Sequence, residues 1–412
     1  QVLKDLGRAL RDRKARRAER TADGIGLFQP KGDGGPLRAC RSCGDDASDG
    51  ASEGEERVCR FCHSLEELGR KLPTSSYLTV SVVDGNAPVP AWEAVARHLG
   101  YALDLHDAPP NPPFVGAIYA LGPQALSKLP CSRLLPTGRW VPRDARGAPL
   151  DFEELAERAA GRKLLAVLKV DVDDLGRTFA THFQRSGGSV QSPSRIATFM
   201  RFLSLFFEGR VNDLAETEFG DIYVVFAGGD DLAVVGPWNR VLDFLVRVRS
   251  EFQQWTAQNP ALHFSAGISF GDASRPVIAA LQEAERLLGE AKDHPGKNAV
   301  ALLDDRVLPW DHFKEMMAWY GELRKLVSGA RDEGGVARSL LHRLERLDAL
   351  TDPRGGKLRY RPELWRAYYA LRRFAERHDT ASPQMNAIYG KALEPYGGLK
   401  LAIAARLAEF AT

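Results

Sequence analysis

Apolar positions along the chain change period from one stretch to the next, and each change predicts a different element. Val2, Leu3, Leu6 and Leu10 recur at helical spacing within a first stretch of 20 residues that carries eight basic and three acidic side chains, so a basic amphipathic helix is expected there. Gly24 to Pro36 is rich in glycine and proline and reads as a linker. Short alternating runs at Tyr77 to Val83 and Phe114 to Tyr119, broken by Asn86, Pro88 and the Pro109 to Pro113 cluster, predict a small α+β region. The next stretch is the most regular. Leu164 to Val170 is an apolar run interrupted only by Lys169, as a buried strand would be. Ile196, Phe199, Met200, Leu203, Phe206 and Phe207 then form a helical stripe. Ile222 to Phe226 and Leu232 to Val235 read as a hairpin around Ala227 to Asp231, followed by a helix over Trp238 to Trp255 and a strand over Leu262 to Ser269. A helix over Pro276 to Lys292, with proline in its first turn, and a strand over Ala299 to Leu303 complete the series. The predicted order β-α-β-β-α-β-α-β gives an α+β fold of the ferredoxin-like, split-βαβ kind, an antiparallel sheet with helices on one face. From Val307 onward the pattern is helical, with Trp310, Phe313, Met317 and Tyr320 on one side of the first helix.

Composition adds little to that layout but closes some possibilities. The 412 residues include 56 Lys plus Arg and 54 Asp plus Glu, a formal net charge of +2, so contact with nucleic acid has to come from local patches. Hydrophobic residues at 44% and charged residues at 27% are the mixture of a core-forming chain, and the length suits two to four domains. No apolar run approaches the ~18 residues that a membrane-spanning helix needs, and the basic first residues lack the apolar segment of a signal peptide. A cytoplasmic protein is expected.

Four of the five cysteines fall as Cys40-x2-Cys43 and Cys59-x2-Cys62. Two C-x2-C turns supply the four thiolates of a closed tetrahedral shell, so structural Zn²⁺ is expected, with a pair of disulfides as the alternative. Gly44 to Arg57 between them reads as an exposed loop, and Cys131 as a small buried residue.

The strand order sets two acidic motifs side by side. Asp171, Asp173 and Asp174 follow the first strand, and Gly228, Gly229, Asp230 and Asp231 sit at the tip of the hairpin. Carboxylates at one end of neighbouring strands repel unless a cation lies among them, and hard oxygen ligands select Mg²⁺ or Mn²⁺ with substrate phosphates completing the shell. Each motif alone also fits a helix cap or a turn. Lys292 and Lys297, between the last helix and last strand, are placed to neutralise a triphosphate, or are simply surface lysines. Arg354 to Arg377 carries eight basic and two acidic residues interleaved with Tyr360, Trp365, Tyr368, Tyr369 and Phe374. It suits RNA backbone and base contacts, or equally a solvated helix face over a bundle core.

Lys169-Val170-Asp171-Val172-Asp173-Asp174-Leu175-Gly176 and Val224-Val225-Phe226-Ala227-Gly228-Gly229-Asp230-Asp231-Leu232, with Gly236-Pro237-Trp238, resemble the second palm domain in the large subunit of type III CRISPR effector complexes. The four-cysteine module, Ser265-Ala266-Gly267-Ile268, Gly296-Lys297-Asn298 and the helical C-terminal region occur in the same order, and Gly-Pro-Trp leans to subtype III-A. The resemblance implies a cyclic oligoadenylate synthase in antiviral defence that uses ATP and is switched on by target RNA paired with the guide RNA, within a complex of other type III subunits. It implies Asp171 and Asp230 as main metal ligands, Asp231 as a further ligand or hydroxyl activator, and Gly228 and Gly229 flanking the nucleotide. Lys292 and Lys297 would meet the triphosphate, and Ser265 the adenine. The implied layout is an upstream helix and linker over 1–38, a zinc ribbon over 39–72, an α+β linker domain over 73–160, the palm over 161–304 and a helical domain over 305–412. The family's usual N-terminal HD nuclease and first palm have no counterpart in these residues, so the expectation is a fragment, or a first palm supplied by another chain. His106-Asp107 and His378-Asp379 lack the flanking residues of an HD metal site. A diguanylate cyclase would need Glu and Phe where Asp231 and Leu232 stand. A non-catalytic RNA-binding scaffold is the alternative from another class.

Overall fold

The computed structural model describes residues 39–40, 42–43, 51–53, 56–83, 91–111, 115–129, 132–135, 137–181, 184–185, 188–189, 192–329, 336–350 and 390–412, with parts of 365–376 and 387–388. The expected first helix and linker, Cys131, most of the basic and aromatic segment 354–377, and His378-Asp379 lie outside the described residues. The chain is an α+β protein of two compact units, one of residues 1–71 and 81–103, the other of residues 72–80 and 104–412.

In the first unit, strands Ala51–Glu53 and Glu56–Val58 pair antiparallel ahead of helix Arg60–Lys71. The region expected to be an exposed loop therefore contains a hairpin. It returns the chain to the first cysteine pair, where the Cys59 backbone N–H donates to Cys40 Sγ at 3.2 Å. In the second unit, Tyr77 to Val80 pairs antiparallel with Ala117–Ala120, which pairs parallel with Arg133–Leu134.

The main sheet has six strands: β1 Leu165–Val172, β2 Tyr223–Gly228, β3 Asp231–Pro237, β4 Phe264–Gly271, β5 Ala299–Leu302 and β6 Arg306–Pro309, in the order β2-β3-β1-β4-β5-β6. All neighbours are antiparallel except β4 and β5. Its helices are α1 Leu175–Thr181, α2 Pro193–Ser204, α3 Trp238–Trp255 and α4 Val277–Asp293, followed by α5 Trp310–Gly329, α6 Val336–Glu345 and α7 Gly397–Phe410. Ser192 caps α2 by accepting from the Arg195 N–H. After Ser204 the helix continues through one wide, π-helical turn, Leu205–Val211, into Asn212–Thr217.

Alternation along β1 decides the faces. Ala166, Leu168, Val170 and Val172 enter a core with Phe206, Phe207, Val241, Leu245 and Phe252, while Leu165 and Val167 meet Ala280 and Ala284 of α4. The helices thus occupy both faces, where the sequence reading had them on one. The parallel β4–β5 pair needs a crossover connection, and α4 supplies it on the face opposite α2 and α3. Small residues let that crossover helix lie close: a Cβ on Gly267 would stand 2.2 Å from the Ala284 carbonyl oxygen. In α5 the buried stripe is Trp310, Phe313, Met316, Tyr320 and Leu323, with Met316 and not Met317 at its centre. α7 is buried on nearly every side, Lys400 included.

Candidate functional site

β1 runs two residues further than its apolar pattern suggests, so Asp171 lies inside the strand. Register then lays one row across the sheet: Gly228 opposite Asp231, Asp231 opposite Asp171, and Asp171 opposite Ser265. Gly229 and Asp230 form the two-residue turn between β2 and β3, and Gly229 takes φ +64°, the left-handed value that mirror-image hairpin turns require. Behind the turn, Glu208 of the wide helical turn accepts the Gly229 N–H at 3.3 Å.

Charge at this end is unbalanced. Burial, and then the neighbouring Asp231 charge, push the Asp230 carboxyl above its ordinary range. Burial does the same to Asp231 against the pull of the Lys169 ammonium. Asp171 is met by the Lys292 ammonium from the last turn of α4. Among the described residues, Asp171, Asp230 and Asp231 do not draw together to within 4.8 Å of one another, the spacing that only the four cysteines reach as a group. The carboxylates expected at one end of neighbouring strands lie there as a row across the sheet, one of them held by a lysine.

The second aspartate of the motif does something the sequence did not reveal. Asp173 is 1% exposed, and its Oδ2 accepts from Ser265 Oγ at 3.0 Å and the Asn298 backbone N–H at 3.1 Å, with His263 Nδ1 at 2.7 Å. Lys297 Nζ lies 2.6 Å from Asp174 Oδ1, and that ammonium is the main cause holding Asp174 below the usual carboxylate range. Gly296, Lys297 and Asn298 all have positive φ. Such backbone costs about 1–2 kcal/mol per non-glycine residue and persists where the surroundings fix it; here the two aspartates do so. Arg249 of α3 donates to Asn298 Oδ1 at 2.6 Å and lies over the Phe264 and Trp310 rings. Its burial lowers its pKa to about 10. The structure does not place Ser265 on an open surface: it is wholly buried, with its hydroxyl committed to Asp173. His263, Arg249 and Glu208 were missed by sequence reasoning, and Asp173, placed in the first acidic motif, was read as one of the gathered carboxylates and not as the acceptor that holds Ser265 and Asn298. Of the three missed residues, Arg249 left a signal, as a charge standing in the apolar stripe of α3 four residues after Leu245.

In the first unit, Cys40, Cys43, Cys59 and Cys62 are free thiols whose Sγ atoms all lie within 4.8 Å of one another, a group that can hold a metal ion. The Cys59 N–H and further backbone donors pull the Cys40 pKa down to about 6, favouring a thiolate ligand, whereas burial and the other thiols raise Cys62. Four thiols crowded in this way match the ligand set of a tetrahedral metal site. His106 of the first HD dipeptide sits in a strand with Nε2 2.9 Å from Thr79 Oγ1.

Residues 164–301 match the second palm domain of the Cas10/Cmr2 family. A curated relative from Mycobacterium tuberculosis, described as the CRISPR system single-strand-specific deoxyribonuclease Cas10/Csm1 (subtype III-A), is 30% identical over 325 residues, covering 75% of this chain and 39% of that protein. Its counterpart from Thermococcus onnurineus is 28% identical over 345 residues, 74% of this chain and 41% of that protein. Among solved structures, a Csm1–Csm4 cassette in complex with cA4 matches with a TM-score of 0.58 and 23% identity, covering 82% of this chain and 48% of that one. The cassette in complex with one ATP gives the same TM-score and identity. The likeness to these structures is one of fold. The chain spans about 40% of the length of the curated relatives it matches. It carries a palm domain of the Cas10/Cmr2 kind. More particularly, it is a relative of Cas10/Csm1, the large subunit of subtype III-A CRISPR complexes.

Proposed function

We propose that the palm region, read as residues 161–304 and as a ferredoxin-like, split-βαβ sheet with one added crossover, joins ATP molecules into cyclic oligoadenylate as part of a type III CRISPR effector complex. The observation that carries this reading is the cross-strand row Gly228–Asp231–Asp171 with Asp230 at its turn. Two acidic residues there have their ionisation opposed by burial, and an ammonium stands on the third. Such a row calls for added positive charge, so the residues fit one or two divalent cations, with Asp171, Asp230 and Asp231 as the ligands. When bound, Mg²⁺ or Mn²⁺ would neutralise the phosphates and stabilise charge on the attacking and leaving oxygens.

The chain's own groups do the rest. Gly228 and Gly229 leave the turn without side chains on the nucleotide's path, and nothing lies within 4 Å of a Cβ built on Gly229. Lys292 would turn from Asp171 to the triphosphate. Lys297, held in place through Asp174, would add a second positive charge. The 3′-hydroxyl of one ATP attacks the α-phosphate of the next, forming the O3′–P bond as the bond to pyrophosphate breaks, and Asp231 takes the hydroxyl proton. Ser265, through Asp173, would position the Lys297–Asn298 turn instead of meeting adenine directly.

The four-cysteine group is read as a structural Zn²⁺ site within 39–72. The flanking regions are assigned as a linker domain over 73–160 and a helical domain over 305–412. The relatives' solved cassettes pair Csm1 with Csm4 and hold ATP or cA4; this chain is assigned the same kinds of partner, together with guide and target RNA and a first palm that completes the second ATP site. Among the described residues no helix is long and apolar enough to cross a membrane. The test is to incubate the assembled complex with labelled ATP, Mg²⁺ or Mn²⁺, and target RNA. Cyclic adenylates are expected, with at least a ~100-fold loss in Asp230→Ala plus Asp231→Ala. Undiminished product in the double variant would refute the assignment.

A further inference from the structure

The wide turn Leu205–Val211 also borders an open cavity of about 650 Å³ in the second unit, lined besides by residues from 73–76, 121–128, 134, 137–143 and 212–216. One strip of its wall, Thr137 to Trp140, is held rigidly through its backbone. The Arg139 and Trp140 N–H groups both donate to Asn212 Oδ1, at 2.9 and 2.8 Å, and the Trp140 carbonyl accepts from the Val224 N–H at 2.9 Å. Gly138 sits so close to β2 that an added Cβ would stand 2.3 Å from the Ala227 Cβ.

With the backbone of that strip satisfied, its side chains are not. Among the described residues, Thr137 Oγ1, Arg139 Nη1 and Trp140 Nε1 are buried atoms without a hydrogen-bond partner, and all three residues line the cavity. Buried polar groups are nearly always paired, so three unpaired ones within four wall residues mark a place built for something else. All three can donate, which selects an acceptor. The charge agrees: burial lowers the Arg139 pKa, with only the Glu216 carboxylate opposing it, whereas Arg210 on the same wall is already taken by Asp213 and Glu251. Three donors spread over three residues match an oxyanion with three free oxygens better than a carboxylate with two, and a guanidinium fork is suited to phosphate. The volume lies in the range of small-molecule sites and far exceeds a bare phosphate ion.

We propose that this cavity binds a small organic phosphate of mononucleotide size, with Arg139, Thr137 and Trp140 donating to its phosphate. Glu208 lines this cavity and also accepts the Gly229 N–H, so the cavity adjoins the hairpin that carries Asp230 and Asp231, but the donors proposed here are not the carboxylates of that row.

The test is calorimetric titration of the full chain with AMP and, separately, inorganic phosphate, with no divalent cation added, so that binding is read without turnover. One AMP per chain is expected. Affinity should fall at least tenfold in Arg139→Gln and severalfold in Thr137→Val, which deletes a hydroxyl at constant volume and should leave the melting temperature unchanged. Asp230→Asn plus Asp231→Asn should bind AMP as the unmodified chain does, which separates this site from the proposed nucleotidyl-transfer site. Water alone in the cavity would show as no saturable binding, and that result would overturn the proposal. So would unchanged affinity in both Arg139→Gln and Thr137→Val, loss of binding in the Asp230 and Asp231 variant, or binding of inorganic phosphate with AMP excluded.

Discussion

Glu251 shows how single ion pairs set the geometry behind the hairpin. Its carboxylate accepts from Arg210 Nε at 2.9 Å and pairs with Arg247, which also reaches Glu218. Arg210 belongs to the wide turn that carries Glu208, so these charges brace that turn against α3. Arg210 first, and then Arg247, hold Glu251 below its ordinary pKa. A depressed carboxylate pKa means that the folded chain binds this proton less readily than the unfolded chain. The stabilisation is therefore complete above about pH 5 and disappears as pH falls through the lowered value. Glu251→Gln is expected to cost roughly 1 kcal/mol at pH 7, with the difference from the unmodified chain closing in acid. Urea unfolding across that range measures it, and a pH-independent gap would show that the pair is not the cause. The Arg210–Glu251 and Arg247–Glu218 pairs were illegible in the sequence because their members lie 41 and 29 positions apart. Asp171, Asp230 and Asp231 were legible because local motifs carry them. Asp173 stood in the same motif, yet its work depends on His263 and Asn298, which only the fold brings to it.

At the scale of elements, alternation and helical spacing recovered β1 to β5 with α2, α3 and α4 in order, since their apolar faces are long and unbroken; they missed the short α1, and β6, Arg306–Pro309, which the sequence reading had ending in a helical stretch from Val307. The ends were set by other forces. β1 extends to Val172 because β3 and β4 pair with it there, and pairing leaves no mark in a strand's own composition. The crossover made by α4 was likewise illegible, because it depends on β5 pairing parallel to β4, which no local pattern announces. That helix carries Lys292 to Asp171 only if it lies close on β4, and Gly267 permits the approach. Gly267→Ala should push α4 away, costing about 1–3 kcal/mol as overpacking does, and should weaken ATP binding together with stability. Thermal unfolding and nucleotide titration of the same variant test both. A stable variant with normal ATP affinity would show that the close approach is not what places Lys292.

For the whole molecule, a net charge of +2 conceals local specialisation. Four thiols gather in the first unit, while in the second a row of carboxylates lies across neighbouring strands and three unpaired donors line a cavity wall. The family was readable from two acidic motifs in their correct strands, and the match over residues 164–301 covers both. The central claim is that the carboxylate row holds divalent cations together with ATP. Electron paramagnetic resonance of Mn²⁺ added with a non-hydrolysable ATP analogue tests it most directly. The account predicts bound Mn²⁺ in the unmodified chain, with its signal lost in Asp171→Asn and in Asp230→Asn plus Asp231→Asn. Equal Mn²⁺ binding in all three proteins would contradict it.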